Sequence, residues 1–149
     1  MDALMKYIGR LNRVAAMHRC YQLEEEGLNG IQHSYILRIC QQPGITQDQL
    51  ATLLYVHKSN VARQLSLLEA EGFITRVPKE GDRRALQIFP TEKAHEVFPR
   101  VRQVLEEWNH YLLEDFPAEK KEELMGMLGH ILQKAVERVE RESAGREDT

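Results

Sequence analysis

The chain has 149 residues, of which 42% are hydrophobic and 29% charged; this is the composition of an ordinary globular protein and a length suited to one domain. Its formal net charge of −3 argues against a protein that coats nucleic acid nonspecifically. The first thirty residues contain no continuous apolar run and the chain has only two cysteines, so we expect a cytoplasmic protein without signal peptide, membrane span or disulfide framework.

Two helices are predicted before residue 45. The first covers residues 2–26, because its apolar residues recur on one helical stripe: Leu4, Ile8, Leu11, Ala15 and His18, with Tyr7, Val14 and Tyr21 beside it. Asn29 and Gln32 have the spacing of a capping box at the start of the second helix, and Pro43-Gly44 ends it.

Residues 46–72 are predicted to form a helix-turn-helix. Thr46 and Gln49 have the spacing of another capping box at the start of its first helix. The second helix begins near His57 and ends at Gly72, a residue suited to a left-handed C-cap.

The second helix of this motif has two different faces. Its apolar residues share one face: Val61, Leu65 and Leu68. The opposite face, near the N-terminal end, carries polar residues: Ser59, Asn60 and Arg63. A helix that packs by one face and offers short polar groups and an arginine on the other suits the major groove of DNA.

A basic β-hairpin is predicted to follow. Residues 73–77 and 85–89 are rich in strand formers, and Gly81 can supply the turn in the segment PKEGDRR between them. This segment carries Lys79, Arg83 and Arg84, which can reach phosphates or the minor groove beside the helix. A helix-turn-helix followed by a basic hairpin indicates a winged helix.

Two long helices are predicted after the hairpin. The first runs from Thr91 to about Glu114 and has an apolar stripe of Val97, Val101, Val104, Leu105, Trp108 and Leu112. The second begins near Pro117, runs to about Arg141, and has a stripe of Leu124, Leu128, Ile131, Leu132, Ala135 and Val139. The polar residues that follow are predicted to fray.

Several short motifs lie between residue 28 and about residue 98. They read LNGIQ at 28–32, PGITQ at 43–47, LA at 50–51, KSNV at 58–61, LEAEGFITR at 68–76, GDRR at 81–84 and PTEKA at 90–94. Together they resemble the MarR family of bacterial and archaeal transcriptional regulators. The Asp-Arg-Arg motif, followed by a strand and Thr-Glu-Lys, is the most specific part. Three residues depart from the family pattern: His57 replaces an acidic cap, Pro90 a leucine and Ala94 a glycine.

The resemblance implies a mostly α fold with a small β wing. The winged helix-turn-helix spans residues 28–90, with a short strand at Ile45 joining the wing sheet. Helices in residues 1–27 and 91–142 form the dimerisation region, and residues 143–149 are a frayed tail. The implied function is a homodimer that binds a double-stranded, pseudo-palindromic DNA operator and regulates transcription, most often by repression.

The charge distribution agrees with this function. Residues 57–84 carry six basic and four acidic residues, a net +2, whereas residues 106–149 carry six and twelve, a net −6. The candidate DNA-contact residues lie in the positive part: Lys58, Ser59, Asn60, Arg63, Gln64, Arg76, Lys79, Asp82, Arg83 and Arg84. By resemblance, Arg84 reaches the minor groove while Asp82 steadies the wing loop.

An effector site and a redox site are two further predictions. The residues that could line a cleft between the dimer helices and the winged helix are Tyr7, His18, Tyr21, His33, Tyr35 and Cys40. Relatives bind small aromatic or phenolic acids in such a cleft, although core packing explains the same residues. Cys20 is a candidate redox sensor by resemblance, with a plain packed cysteine as the alternative, since a sensing thiol needs a depressed pKa and access.

An enzyme and a module for protein contacts are the two alternative functional classes. The sequence has no nucleophile–base motif, paired acidic motif, cofactor loop or metal-spaced Cys or His pair, so we expect no enzyme, no cofactor and no metal site. A winged helix used only for protein contacts is the better alternative. The polar face of the second helix and the arginines of the hairpin argue against it.

Overall fold

The computed structural model describes residues 3–147, and Asp2, the predicted start of the first helix, lies outside this range. The elements in chain order are α1 (Ala3–Leu23), α2 (His33–Gln41), β1 (Ile45–Thr46), α3 (Gln47–Leu54), α4 (Lys58–Ala70), β2 (Ile74–Lys79), β3 (Asp82–Pro90), α5 (Glu92–Leu113) and α6 (Ala118–Glu147). The chain divides into two compact units, one ending at Glu106 and the other beginning at Glu107. Among the described residues, no helix is long and apolar enough to cross a membrane.

The elements from α2 to β3 form a winged helix. Its antiparallel sheet has the strand order β1-β3-β2, and Ile88 of β3 lies between Ile45 of β1 and Arg76 of β2. The predicted short strand at Ile45 is therefore confirmed. The core consists of apolar residues of this lobe and of the adjoining parts of α1 and α5, including Leu23, Ile36, Ile39, Leu50, Val61, Leu65, Leu68, Phe73, Ile88 and Val101.

The helix ends follow from local capping signals. The N–H of Gln49 donates to Thr46 Oγ1 at 3.2 Å, and the N–H of Thr46 donates to Gln49 Oε1 at 3.0 Å, which confirms this capping box. At the end of α4, Gly72 has a φ of 81°, and the N–H of Phe73 donates to the carbonyl of Leu68 at 2.9 Å. This hydrogen bond belongs to the predicted left-handed cap, and glycine favours it because it has no Cβ.

The hairpin differs from its prediction in where the strands end. β2 extends to Lys79 and β3 begins at Asp82, so only Glu80 and Gly81 form the loop. Residues 83–85 lie in an irregularity of β3, where the pairing register with β2 shifts. Arg83 and Arg84, which were expected in the loop, are therefore strand residues. The turn needs only two residues because Gly81, with a φ of 83°, adopts a left-handed conformation.

The last helix is longer than predicted. Residues 143–147, expected to be part of a frayed tail, are helical, and residues 148–149 lie outside the described range. Arg138 Nε lies 2.6 Å from Glu142 Oε1, an i,i+4 ion pair of the kind that supports an exposed helix. The polar composition of residues 143–147 therefore does not end the helix.

Two helices expose their apolar stripes in the single chain. On α1 the exposed apolar residues include Leu4, Tyr7, Leu11, Val14 and Tyr21. On α6 none of the side chains whose burial is described is buried, and Leu132 and Val139 are 58% and 62% exposed. Contiguous apolar surface of this kind characterises interaction sites.

Candidate nucleic-acid interface

The two faces of α4 differ as predicted. Val61, Leu65 and Leu68 are fully buried. The exposed residues of the N-terminal half form what we call the recognition face: Lys58, Ser59, Asn60 and Arg63. Packing of the apolar side against the core therefore holds the four polar side chains together at the surface.

His57 caps the start of α4. Its Nδ1 accepts a hydrogen bond from the N–H of Ser59 at 3.2 Å and lies 2.7 Å from Ser59 Oγ. Because Nδ1 acts as an acceptor, the neutral ring carries its proton on Nε2 and the hydroxyl of Ser59 donates to His57. The usual cap residues are Ser, Thr, Asp and Asn, so capping rules alone left the start of this helix open.

Gln64 does not belong to the recognition face, which corrects the prediction that it contacts DNA. It is only 5% exposed, and Gln32 Nε2 donates to its Oε1 at 3.4 Å. Gln64 lies three residues after Val61 and four before Leu68, so it shares the buried face of the helix. The partner that satisfies this buried amide lies 32 residues away in sequence.

The wing places four of its predicted contact residues at the surface: Lys79, Asp82, Arg83 and Arg84. Asp82 Oδ1 accepts a hydrogen bond from the backbone N–H of Arg84 at 3.1 Å. Aspartate side chains stabilise turns through such bonds to the main chain two residues on. Asp82 is therefore placed to steady the backbone that carries Arg84.

Arg76 joins the wing to α4. Its Nη2 lies 3.1 Å from Glu69 Oε1 and also donates to Ser66 Oγ at 3.3 Å. These contacts join β2 to α4. They attach the wing to the helix, and the predicted contact of Arg76 with DNA stays a prediction.

Lys58 of the recognition face has an ion-pair partner, and Tyr55 lies in the turn before α4. Lys58 Nζ lies 3.3 Å from Asp48 Oδ1, and both side chains are well exposed. Such a pair stabilises a fold by roughly 0–1 kcal/mol, so Lys58 can exchange it for a phosphate. Tyr55 adopts a φ of 53° in the turn before α4 and exposes its ring, a feature without a sequence signal, because tyrosine rarely takes this conformation.

The six residues predicted to line an effector cleft do not come together within the described part of one chain. Tyr7 and Tyr21 are exposed and lie 14 residues apart on α1, about 21 Å at the helical rise per residue. Tyr35 is buried in the winged-helix core, and burial raises its pKa. The remaining three are half-buried: His18, His33 and Cys40.

His33 has the most altered pKa among these residues. Burial, followed by the positive charge of Arg19, lowers its pKa to about 4, although a backbone hydrogen bond with Gly30 acts in the opposite direction. Its Nδ1 is buried and has no hydrogen-bond partner among the described residues. The imidazole is therefore held neutral at physiological pH.

Both cysteines are free thiols, and they differ in access. Cys20 is exposed, and its Sγ accepts a hydrogen bond from the N–H of Gly30 at 3.1 Å. The neighbouring Arg19 is buried, and its Nε donates to the carbonyl of Gly30 at 2.7 Å. Cys40 is half-buried, and burial raises its pKa, which disfavours the reactive thiolate. Of the two, only Cys20 meets the access requirement of a sensor.

The comparison with known proteins agrees with this geometry. The sequence profile of the MarR family matches residues 28–86. The HTH-type transcriptional regulator YybA of Bacillus subtilis (strain 168), itself uncharacterized, is 32% identical over 138 residues, which cover 93% of this chain and 91% of that protein. The chain belongs to the MarR family.

Solved structures of MarR proteins share its fold. A MarR transcriptional regulator from Methanosarcina mazei Go1 has a TM-score of 0.86 at 26% identity, covering 92% of this chain and 99% of that one. A Listeria monocytogenes protein assigned to the MarR family, complexed with 26mer DNA, has a TM-score of 0.83 at 25% identity and covers 90% and 89% of the two chains. The MarR relatives are transcriptional regulators and not enzymes.

Residues 28–86, the part that matches the MarR profile, contain the entire recognition face and all the wing residues discussed above. The helices α1, α5 and α6 lie entirely outside it, and their likeness to MarR proteins is seen in the structural comparison, which covers nine-tenths of the chain.

Proposed function

We propose that this protein is a sequence-specific DNA-binding transcriptional regulator that binds a pseudo-palindromic operator as a homodimer. The observation that carries the proposal is the division of α4 into a buried apolar face and an exposed recognition face. A major groove about 12 Å wide admits a helix, and asparagine and arginine can bind adenine and guanine edges bidentately. Asn60 and Arg63 provide those two side chains.

The wing supports the same function. Lys79, Arg83 and Arg84 are exposed on the hairpin that follows α4. Cationic side chains beside a recognition helix contact phosphates or the minor groove, which fixes the register of the helix on the duplex. The net charge of +2 in residues 57–84, within a chain of −3, favours approach of DNA to this side.

The exposed stripes of α1 and α6 support the homodimer. The thirty residues of α6 form a helix about 45 Å long, and its leucines and isoleucine are exposed or half-buried. Full burial of one such side chain stabilises by about 1.5–3 kcal/mol. A second copy of the chain offers the same stripes for a twofold interface, and it supplies the second α4 for a half-site about 34 Å away.

The regulatory part of the proposal is repression with release by an effector. A small aromatic or phenolic ligand, or an oxidant, would release the operator by preferring a dimer in which the two α4 helices no longer match the half-site spacing. Such a ligand acts only through its different affinities for the two conformations.

Selection of bound duplexes from a random library, followed by fluorescence anisotropy over a salt series, tests the function. We expect tighter binding to the selected duplex than to its scrambled form, and a log–log salt slope of about −0.9 per phosphate contacted. A protein that selects no sequence and shows no salt-dependent affinity for DNA would instead be a winged-helix module for protein contacts.

A further inference from the structure

A buried pair of amides connects α4 with the turn that precedes α2. Gln32 and Gln64 are each only 5% exposed, and they share the hydrogen bond from Gln32 Nε2 to Gln64 Oε1. A buried amide destabilises a fold unless it is hydrogen-bonded, and an apolar side chain would fill the same space without that requirement. The pair is thus a specific contact in an otherwise apolar face of α4.

The direction of this hydrogen bond follows from the capping box around Gln32. Gln32 Oε1 accepts the N–H of Asn29 at 3.0 Å, while the N–H of Gln32 donates to Asn29 Oδ1 at 3.0 Å. The predicted box is therefore formed, although regular helix begins only at His33. Since its oxygen is occupied, the Gln32 amide offers its NH₂ group to Gln64, and Gln64 presents its oxygen. A 180° flip of the Gln64 amide would place two NH₂ groups against each other, and a flip of the Gln32 amide would place two oxygens against each other.

The same turn is attached to α1. Arg19 Nε donates to the carbonyl of Gly30, and the N–H of Gly30 donates to Cys20 Sγ. The approach is so close that a Cβ on Gly30 would lie 2.1 Å from the carbonyl oxygen of Ala16. Polar contacts therefore connect α1, the turn and α4 in sequence.

We propose that Gln64 is a positioning residue for operator binding: its contact with Gln32 sets the orientation of α4 relative to α1, and so the angle at which the recognition face meets the groove. The inference rests on the proposed DNA-binding function. Arg63 and Gln64 are successive residues of one helix, so a rotation of α4 that breaks the amide pair also moves Arg63.

The variant Gln64→Leu tests this role, because it keeps the side-chain volume and removes the hydrogen bond. We expect a folded protein whose affinity for the selected operator falls about tenfold, the size of losing one base contact. The salt slope should stay unchanged, because no phosphate contact is lost. Leu68→Val, on the same buried face, is the matched control and should retain wild-type operator affinity.

The double variant Gln32→Leu, Gln64→Leu separates positioning from plain stabilisation. Removing both amides leaves neither of them unpaired, and the N–H of Asn29 loses its acceptor equally in Gln32→Leu and in the double variant, so the urea midpoint should recover relative to the additive effect of the single changes. Operator affinity should nevertheless stay reduced. Affinity that recovers together with stability, or wild-type affinity in folded Gln64→Leu, overturns the positioning role. If the wild type itself binds no selected duplex, the proposed function fails, and the positioning role fails with it.

Discussion

Glu69 on α4 and Arg76 on β2 join the recognition helix to the wing through one carboxylate. Glu69 Oε1 lies 3.1 Å from Arg76 Nη2, and Glu69 Oε2 accepts the backbone N–H of Arg76 at 3.2 Å. The Arg76 side chain is only 20% exposed, against 42% for Glu69. The hydrogen bond from the Arg76 side chain lowers the pKa of Glu69. These contacts fix the position of β2, and with it the wing, relative to α4.

The first prediction concerns this pair. Glu69→Ala and Arg76→Ala should each lower the free energy of unfolding, with a coupling of about 0.2–1 kcal/mol in a double-mutant cycle, since the pair is partly exposed. Because the folded-state pKa of Glu69 is depressed, the coupling should be complete above its ordinary value of 4.5 and be lost as the pH falls through the lower folded value. Urea unfolding at several pH values measures it, and additive single variants at neutral pH would contradict it.

Arg63 is expected to read a base edge. Arg63→Ala should relax the preference at one base pair per half-site, because a bidentate arginine contact discriminates by about 1–3 kcal/mol. Repeating the library selection with the variant measures this directly. Arg102→Ala removes an exposed arginine of α5 outside the winged helix and serves as the control. A selected motif identical to that of the wild type would place Arg63 outside the groove.

Arg84 is expected to act through the DNA backbone or the minor groove. Arg84→Ala should weaken binding about evenly across duplexes and reduce the salt slope by roughly one phosphate contact. Anisotropy titrations of the selected and scrambled duplexes at four salt concentrations give both quantities. The prediction is wrong if the slope is unchanged, or if the loss is confined to one base position.

His33 should make stability depend on pH. Its folded-state pKa of about 4 lies below the ordinary value of 6.5, so the unfolded chain binds a proton first as the pH falls. The stabilisation from neutral His33 is thus complete above pH 6.5 and decreases towards pH 4, by at most about 1.4 kcal/mol per pH unit. Urea midpoints at fixed protein concentration should fall less steeply over this range in His33→Gln. Parallel curves for the two proteins would exclude the effect.

Removal of residues 117–149 should abolish operator binding although the winged helix is intact. The deletion removes the α6 stripe, and loss of the dimer would cost each winged helix the effective concentration supplied by its partner, a factor of about 10²–10⁴. Analytical ultracentrifugation at micromolar concentration should show a dimer for the wild type and a monomer for the deletion.

Two further variants control this deletion. Removal of residues 143–149 alone spares the stripe and should leave the dimer, whereas Leu132→Asp should disrupt it without shortening the chain. A deletion protein that stays dimeric and holds the operator tightly would show that the dimer is built elsewhere.

The residues whose roles were predicted correctly are those with local signals. Thr46 and Gln49 are three residues apart, and Gly72 follows the helix that it ends, so each signal is contained in one turn of chain. The apolar face of α4 is likewise a matter of helical spacing. These features define the helix-turn-helix and the recognition face without reference to any distant residue.

The predicted contact that the structure corrects belongs to a polar side chain with a distant partner. The sequence predicts that Gln64 contacts the DNA groove. In the structure its side chain is buried and accepts a hydrogen bond from Gln32, 32 positions earlier. A polar group is exposed or buried according to the donor or acceptor packed against it, and that pairing exists only once the chain has folded.

The sequence by itself determined the elements of this protein, the family it resembles and the face that α4 offers, because periodicity and capping are properties of neighbouring residues. Only the tertiary structure decided which polar residues remain on that face and how the wing is attached to it. Each of these outcomes depends on which donor or acceptor packs against a polar side chain in the fold, and composition does not specify that pairing.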